Sequence, residues 1–393
     1  MPDTATPARR RTAMALVSVA FVVAMLGTTL PTPLYPFLEA RLGFGELTTT
    51  LVFAAYPVGV IAALLLSGHW SDQVGRKPML FAGLVCSALT AAVFLLPSAL
   101  PWLYVARVVS GLSAGIFTGT ATAAIVDLAS AEHKARAGLV AAATNTAGLG
   151  LGPLVAGALA QWAPHPLTLP FLVDLALIAV AAGCLLLAPE TVRRVDSPHL
   201  RPQRVHVPGE VRPVFVGASI AGFAGFAVLG LFTAVSPAFL GTVLHHSSPL
   251  LVGAVVLLVF AASVAGQAFS LRLSTAAGLS VGCAALIAGM AVLSISLLLE
   301  SMLFLVAGGL VAGFGQGLTF RAGLGSVGEV SPADQRGAIS SAFFVVLYIG
   351  ISLPVVGVGL AATAFGLVPA GVIFAVLVGV LAAVSLVLLV RRG

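Results

Sequence analysis

Charge is what this sequence has least of. Asp, Glu, Lys and Arg make up 8% of its 393 residues, against about a quarter in a soluble domain. So few charges cannot cover a water-facing surface, and the solvent for most of the chain must be lipid. Cysteine is nearly missing too. Cys86, Cys184 and Cys283 stand singly inside apolar runs with no C-x-x-C, which leaves three small buried hydrophobes rather than a redox pair or thiolate site. The seven His show no metal-ligand spacing, and His245 and His246 are loop neighbours. No G-x-x-x-x-G-K-[ST] loop is present to bind ATP. Nor does any His/Asp/Glu or Cys/His cluster mark a catalytic centre. The chain is therefore expected to be no enzyme and to hold neither metal nor cofactor.

Apolar runs fill the space that charge leaves. The hydrophobic fraction is 59% and the mean hydropathy +1.12. A bilayer core needs about 20 apolar residues per helix. Twelve such runs occur, near 14–34, 47–67, 79–97, 102–127, 137–160, 168–188, 213–240, 249–269, 276–298, 302–328, 338–362 and 367–390. All must be helical, because lipid offers no partner for backbone N–H and C=O. A β-barrel is excluded by runs that are too long and do not alternate. The expected fold is all-α, a multi-pass membrane protein of twelve helices.

Basic residues set the orientation. With the N-terminus in the cytoplasm, Arg9 to Arg11, Arg76, Lys77, Lys134, Arg136, the arginines of 193–212, Arg272, Arg336, Arg391 and Arg392 all fall inside. Only Arg41 falls outside, while Arg107 and Arg321 lie within spans. The net charge of +6 is thus topological, and no basic face is left for nucleic acid. The longest polar stretch, 189–212, is Pro- and Arg-rich. It divides the chain into bundles at 1–188 and 213–393, joined by a cytoplasmic linker.

The two halves repeat at an offset of about 202 residues. Gly111, Gly115, Gly148 and Gly157 match Gly313, Gly317, Gly350 and Gly359. Asp127, Glu132 and Lys134 match Glu329, Asp334 and Arg336. Two similar halves suggest pseudo-symmetric six-helix bundles that rock about a central site.

Three motifs carry a resemblance. Between spans two and three stands Gly68-His-Trp-Ser-Asp72-Gln-Val-Gly75-Arg76-Lys77. Gly75 permits a tight turn, Asp72 can accept from a helix N-terminus, and the basic pair holds the loop in the cytoplasm. Span four carries Arg107-Val-Val-Ser-Gly111, and span five Gly148-Leu-Gly-Leu-Gly152-Pro153-Leu-Val-Ala-Gly157. Small residues four apart let helices touch, and Pro153 frees a carbonyl and bends its helix. Together these resemble the loop signature, the R-x-x-x-G motif and the antiporter motif of the major facilitator superfamily, in its twelve-helix drug:proton antiporter branch. Ala156 replaces one glycine of the last motif. The second-half loop, Ser270-Leu-Arg272-Leu-Ser274, lacks the acid and the Gly-Arg-Lys.

The resemblance implies secondary active export of small amphipathic, drug-like compounds through alternating access, with a proton gradient as the coupling ion. The alternative is a sugar or small-metabolite exporter or facilitator of the same superfamily. It further implies a monomer in the plasma membrane, with lipid and a small-molecule substrate as its partners. A conformational network of Asp72, Arg76, Arg107, Asp127 and Glu329 is expected at the cytoplasmic side. No acid lies between Arg11 and Tyr35, so the first-span acid of many drug antiporters is absent. Asp174 and Arg321, both deep in spans, and Glu39 are the remaining proton-coupling candidates, since ionisable groups inside a membrane are functional by default. Asp174 could alternatively snorkel to the outer headgroups, and Glu39 and Glu46 read as loop residues. Polar cavity candidates are Tyr35, Tyr56, Asn145, Gln267, Gln316 and Tyr348, within a cavity lined by some of the 22 Phe.

Overall fold

A computed structural model describes residues 7–67, 70–96, 99–197, 207–332 and 335–390. Twelve of its helices are long and apolar enough to cross a membrane. In the first half these are α1 (Pro7–Thr29), α2 (Glu46–Ser67), α3 (Arg76–Leu95), α4 (Leu100–Leu128), α5 (Lys134–Trp162) and α6 (Leu169–Leu187). The second half has α7 (Arg212–Ala234), α8 (Pro249–Ser270), α9 (Thr275–Leu299), α10 (Met302–Val330), α11 (Arg336–Phe365) and α12 (Leu367–Val390). Proline sits in the first turn of α4, α6, α7 and α8, where its missing N–H costs nothing. Below, the side where α1 begins and α12 ends is the termini face, and the opposite side the far face.

α1 stops where Pro31 and Pro33 break the ladder. A short 3-10 turn, Thr32–Leu34, leads into a two-turn helix, Tyr35–Leu42, which ends on Gly43 at φ +71°. This corrects the loop expected around Glu39. The carboxylate is half-buried on that helix and accepts a hydrogen bond from the Thr49 hydroxyl. Glu46 likewise belongs to the first turn of α2 rather than to a loop.

Each packing relation within the first half has a counterpart in the second. α1 packs on α4, α5 and α6, as α7 packs on α10, α11 and α12. The pairs α2–α4, α3–α4 and α3–α6 are matched by α8–α10, α9–α10 and α9–α12. Lipid tails are as apolar as leucine, so these contacts rest on close packing rather than on a hydrophobic drive. The repeated glycines show how. Gly111 leaves no room for a Cβ between α4 and the Tyr56 carbonyl on α2, and Gly313 none between α10 and the Val259 carbonyl on α8. Across the two halves the main contacts are α5–α8 and α2–α11, a pair that the 202-residue offset exchanges.

Candidate functional site

At the termini face, the α2–α3 turn is built around an arginine. Gly68 lies outside the described residues. Trp70–Val74 forms one helical turn, and Gly75 then takes φ +109°, a conformation closed to residues with a Cβ. This aims Arg76 inward, where it is 8% exposed. Its Nη2 lies 2.6 Å from Asp72 Oδ1 and its Nε 3.2 Å from Asp127 Oδ2 at the end of α4. Nη1 donates to Ser71 Oγ at 2.6 Å. Lys77 Nζ donates to the Leu186 carbonyl at 3.1 Å, in the last turn of α6, where the helix dipole favours a cation.

Asp72 stands in the first turn of Trp70–Val74, and the anion at the start of α3 is Glu190. Its carboxylate accepts from the backbone N–H of Arg76 (2.9 Å), Lys77 (3.0 Å), Thr191 (2.9 Å) and Val192 (3.3 Å). The first N–H groups of a helix have no partner of their own and attract a negative charge. Val195 N–H donates to the Gln73 carbonyl at 2.9 Å, and Thr191 Oγ1 to Asp127 Oδ2 at 3.3 Å. The start of the linker is thus fastened to the turn. The available sequence signal was an acid standing directly after a span, at the start of an Arg-rich stretch. Glu190→Ala is expected to cost about 1–2 kcal/mol, the usual loss of a helix cap. The thermal midpoint in detergent should fall and the Arg76 and Lys77 amides should exchange faster, while Glu210→Ala, at an exposed position, should change neither.

Arg107 does not join this cluster. It stands 20 residues before Asp127 on one straight helix, or about 30 Å at 1.5 Å per residue. Instead it is 2% exposed toward the far face, and its Nη1 donates to the Thr28 carbonyl of α1 at 2.6 Å. Glu329 is also apart: it accepts from Thr275 Oγ1 at 3.4 Å, at the start of α9. There Ser274 caps the helix by accepting from Ala277 N–H at 3.3 Å, while Arg272 lies over the Phe269 ring at 5.8 Å. The first half therefore has a charged latch at this point and the second half a serine cap.

Toward the far face, α5 touches helices on two sides. A Cβ on Gly148 would meet the Val22 carbonyl at 2.7 Å, and one on Gly152 would strike the Leu26 carbonyl, both on α1. Pro153 cannot donate to the Leu149 carbonyl, and Thr29 Oγ1 fills that vacancy at 2.7 Å. On the other side Gly157 meets the Pro249 carbonyl of α8, and Gly253 of α8 meets the Pro153 carbonyl. Ser248 Oγ donates to Gln161 Oε1 at 3.0 Å beside them. The matching seam has Gly359 of α11 against Thr50 of α2. Both cross-half seams are closed at the far face.

Between the faces lie the remaining candidates. Asp174 is 3% exposed and does not snorkel outward. Its carboxylate presses on α1 at Gly27, where a Cβ would come within 2.8 Å of Oδ2, and its Oδ1 has no hydrogen-bond partner among the described residues. Tyr56 and Tyr348 meet edge to face across the halves at 6.1 Å, and Phe226 and Phe320 extend that aromatic group. Gln267 Nε2 donates to Thr146 Oγ1 at 3.0 Å, joining α8 to α5, and to Ser263 Oγ at 3.3 Å. Ser263 in turn donates to Gln316 at 2.5 Å. Asn145 Oδ1 and the Tyr35 hydroxyl are buried without a partner among the described residues. Arg321 reaches across to the start of α5, donating to the Ala135 carbonyl at 3.2 Å.

The family model of the Major Facilitator Superfamily matches residues 17–355. The chain belongs to this superfamily. Among curated superfamily relatives, Multidrug resistance protein 2 of Bacillus subtilis is 29% identical over 41% of this chain and 39% of its own length. The class D tetracycline resistance protein of Salmonella ordonez is 34% identical over 31% of this chain and 30% of its own. The chain thus matches well under half the length of either. Among solved structures, a bacterial homologue of the human lysosomal transporter Spinster, inward-facing and unoccupied, superposes with a TM-score of 0.74. It is 15% identical over 98% of this chain and 99% of its own, and that likeness speaks for the superfamily fold alone. The twelve helices and the transporter class expected from the motifs agree with these findings.

Proposed function

We propose that this transporter exports small amphipathic, drug-like compounds from the cytoplasm in exchange for protons. The termini face is then cytoplasmic, as the basic residues require, in a plasma membrane. Transport proceeds by alternating access. The α5–α8 and α2–α11 seams separate at the far face while the halves close at the termini face around Arg76, Asp127 and the linker. Arg107 is no part of that latch.

Asp174 carries the proton-exchange half of the proposal. A charged carboxylate in a lipid-embedded bundle is costly, and among the described residues this one has neither an arginine partner nor a hydrogen bond on Oδ1 to offset it. A proton removes that cost, and a change of charge shifts a two-state equilibrium. The first span has no acid of its own, yet Gly27 lets the α6 carboxylate reach α1, so the acid is supplied from the neighbouring helix. Drug-like cargo is supported by the aromatic group at the midplane and by the names of the curated relatives. A sugar exporter would need many free polar groups there, whereas Gln267 Nε2, Gln316, Ser263 and Thr146 are bound to one another and only Asn145 Oδ1, Gln267 Oε1 and the Tyr35 hydroxyl stay unpaired among the described candidates.

Proteoliposomes loaded with cationic, neutral and anionic fluorescent amphiphiles in turn test this. An imposed pH gradient is expected to drive movement of at least one of them well above the rate without it. Movement of none, or movement indifferent to the gradient, would reject the exchange.

A further inference from the structure

Arg107 is a buried cation without an anion. Among the described residues the ion pairs within 4 Å that bear on these sites belong to Arg76, and none involves Arg107. Among the described residues the guanidinium has two kinds of company. The Thr28 carbonyl accepts from Nη1, and the rings of Tyr56 and Phe53 lie 4.8 and 5.6 Å from Cζ. Its Nε–H finds no acceptor among the described residues. The Tyr35 hydroxyl, within electrostatic reach of the same guanidinium, is also buried without a partner. Asp174 approaches α1 at Gly27, one residue before the Thr28 carbonyl, and makes no ion pair with Arg107 among the described residues. A buried guanidinium N–H and a buried hydroxyl left unpaired are a costly arrangement, and a negatively charged acceptor would take the hydrogen of either.

The termini face is cationic as well. A cavity of about 590 Å³ there is lined by Arg10, Arg11, His133 and Arg136 from α1, the α4–α5 turn and α5. Arg321 reaches to the first turn of that same α5. A basic mouth also follows from membrane topology, so it speaks for steering only, and the buried pair of donors carries the weight.

We propose that Arg107, assisted by the Tyr35 hydroxyl, is the head-group site for the transported compound, and that the cargo is an amphipathic organic anion. Its carboxylate or phosphate would sit on the guanidinium. Its apolar body would lie against Phe53 and Tyr56 of α2 and against Tyr348, which meets Tyr56 across the halves. This rests on the export reading above and names the class of its substrate. The site is closed in the present conformation, so the anion enters as the α2–α11 contact at Tyr56 and Tyr348 loosens.

The test is equilibrium binding to the full chain in zwitterionic nanodiscs, with no gradient, using pyrenebutyrate, its neutral amide and the corresponding amine. The carboxylate is expected to bind about tenfold or more tightly than the amide, the scale of one charge-assisted hydrogen bond. Arg107→Gln should abolish that preference, Arg107→Lys should retain most of it, and Tyr35→Phe should weaken the carboxylate alone. Equal or tighter binding of the amide or amine by the unmodified protein would overturn the proposal, and that arm needs no variant to fold. So would an Arg107→Gln protein that folds and keeps the preference. Adding phosphatidylglycerol separates a lipid anion, which would displace the probe, from a small amphiphile, which would not; both place an anion on Arg107. Gradient-independent transport with the preference intact would sink the proton exchange and leave the anion site standing.

Discussion

Asp174→Asn is expected to reduce gradient-driven accumulation in proteoliposomes to background while leaving exchange between equal pH compartments measurable. The amide is nearly the same size and sits in the same place against Gly27, where the carboxylate is 3% exposed. What changes is that the side chain can no longer take up or release a proton. It mimics the protonated acid permanently, so the protein keeps the conformational freedom of that state and loses the link between proton and cargo. The sign follows from the geometry. If Asp174 were only a structural acid held by hydrogen bonds, the substitution would chiefly lower stability. With no partner on Oδ1, neutralising it should leave the thermal midpoint level or slightly higher. Gly27→Val provides a second view of the same contact, because its side chain would displace the carboxylate from α1 and should damage coupling with the acid still present.

Adding one methyl group to both cross-half seams is expected to have the next largest effect. Gly157→Ala sets a Cβ against the Pro249 carbonyl and 3.1 Å from Leu250 Cα, and Gly359→Ala sets one against Thr50. Overpacking of this kind costs about 1–3 kcal/mol, which is roughly a 5- to 150-fold shift between two conformations. Alanine is a better helix former than glycine by about 1 kcal/mol. The helices themselves should therefore gain, and the cost should fall on the state in which the far face is closed. Transport should drop steeply, and a thiol probe added from the far face should label Thr50→Cys faster. Gly183→Ala, where nothing lies within 4 Å of the added Cβ, should behave like the unmodified protein.

Much of this architecture was legible in residue order because lipid leaves few choices. Runs of about 20 apolar residues had to be helices, and the asymmetry of arginine and lysine paired them into hairpins. The 202-residue offset announced the helix contacts: Gly111 and Gly313, then Gly157 and Gly359, serve equivalent contacts in the two halves. Pro153 predicted a freed carbonyl, and the structure adds Thr29 as the group that takes it. What failed was depth and partnership. Arg107 was grouped with Asp127 through the motif pattern, although helical rise alone separates them by about 30 Å. Glu190 was passed over because the linker read as polar spacer, and the α3 N-terminus that it serves is 113 residues earlier in the chain. The helix that carries Glu39 was missed because the residues between spans one and two read as a loop, whereas Pro31 and Pro33 only re-aim the chain into a second short helix. Contacts so distant in sequence leave no periodic trace.

Alternating access requires that the far-face seams open once per cycle, and a reversible crosslink tests that most directly. A Cβ at position 359 would lie 3.1 Å from the Thr50 Cβ, close to the roughly 3.8 Å of a disulfide. The double variant Thr50→Cys/Gly359→Cys should therefore crosslink α2 to α11 under mild oxidation. Oxidised protein is expected to stop transporting and to return, when reductant is added, to the rate of the never-oxidised double variant, with each single variant's own rate unaffected by either treatment. Full transport by fully crosslinked protein would contradict the mechanism, because cargo would then be crossing without the halves parting.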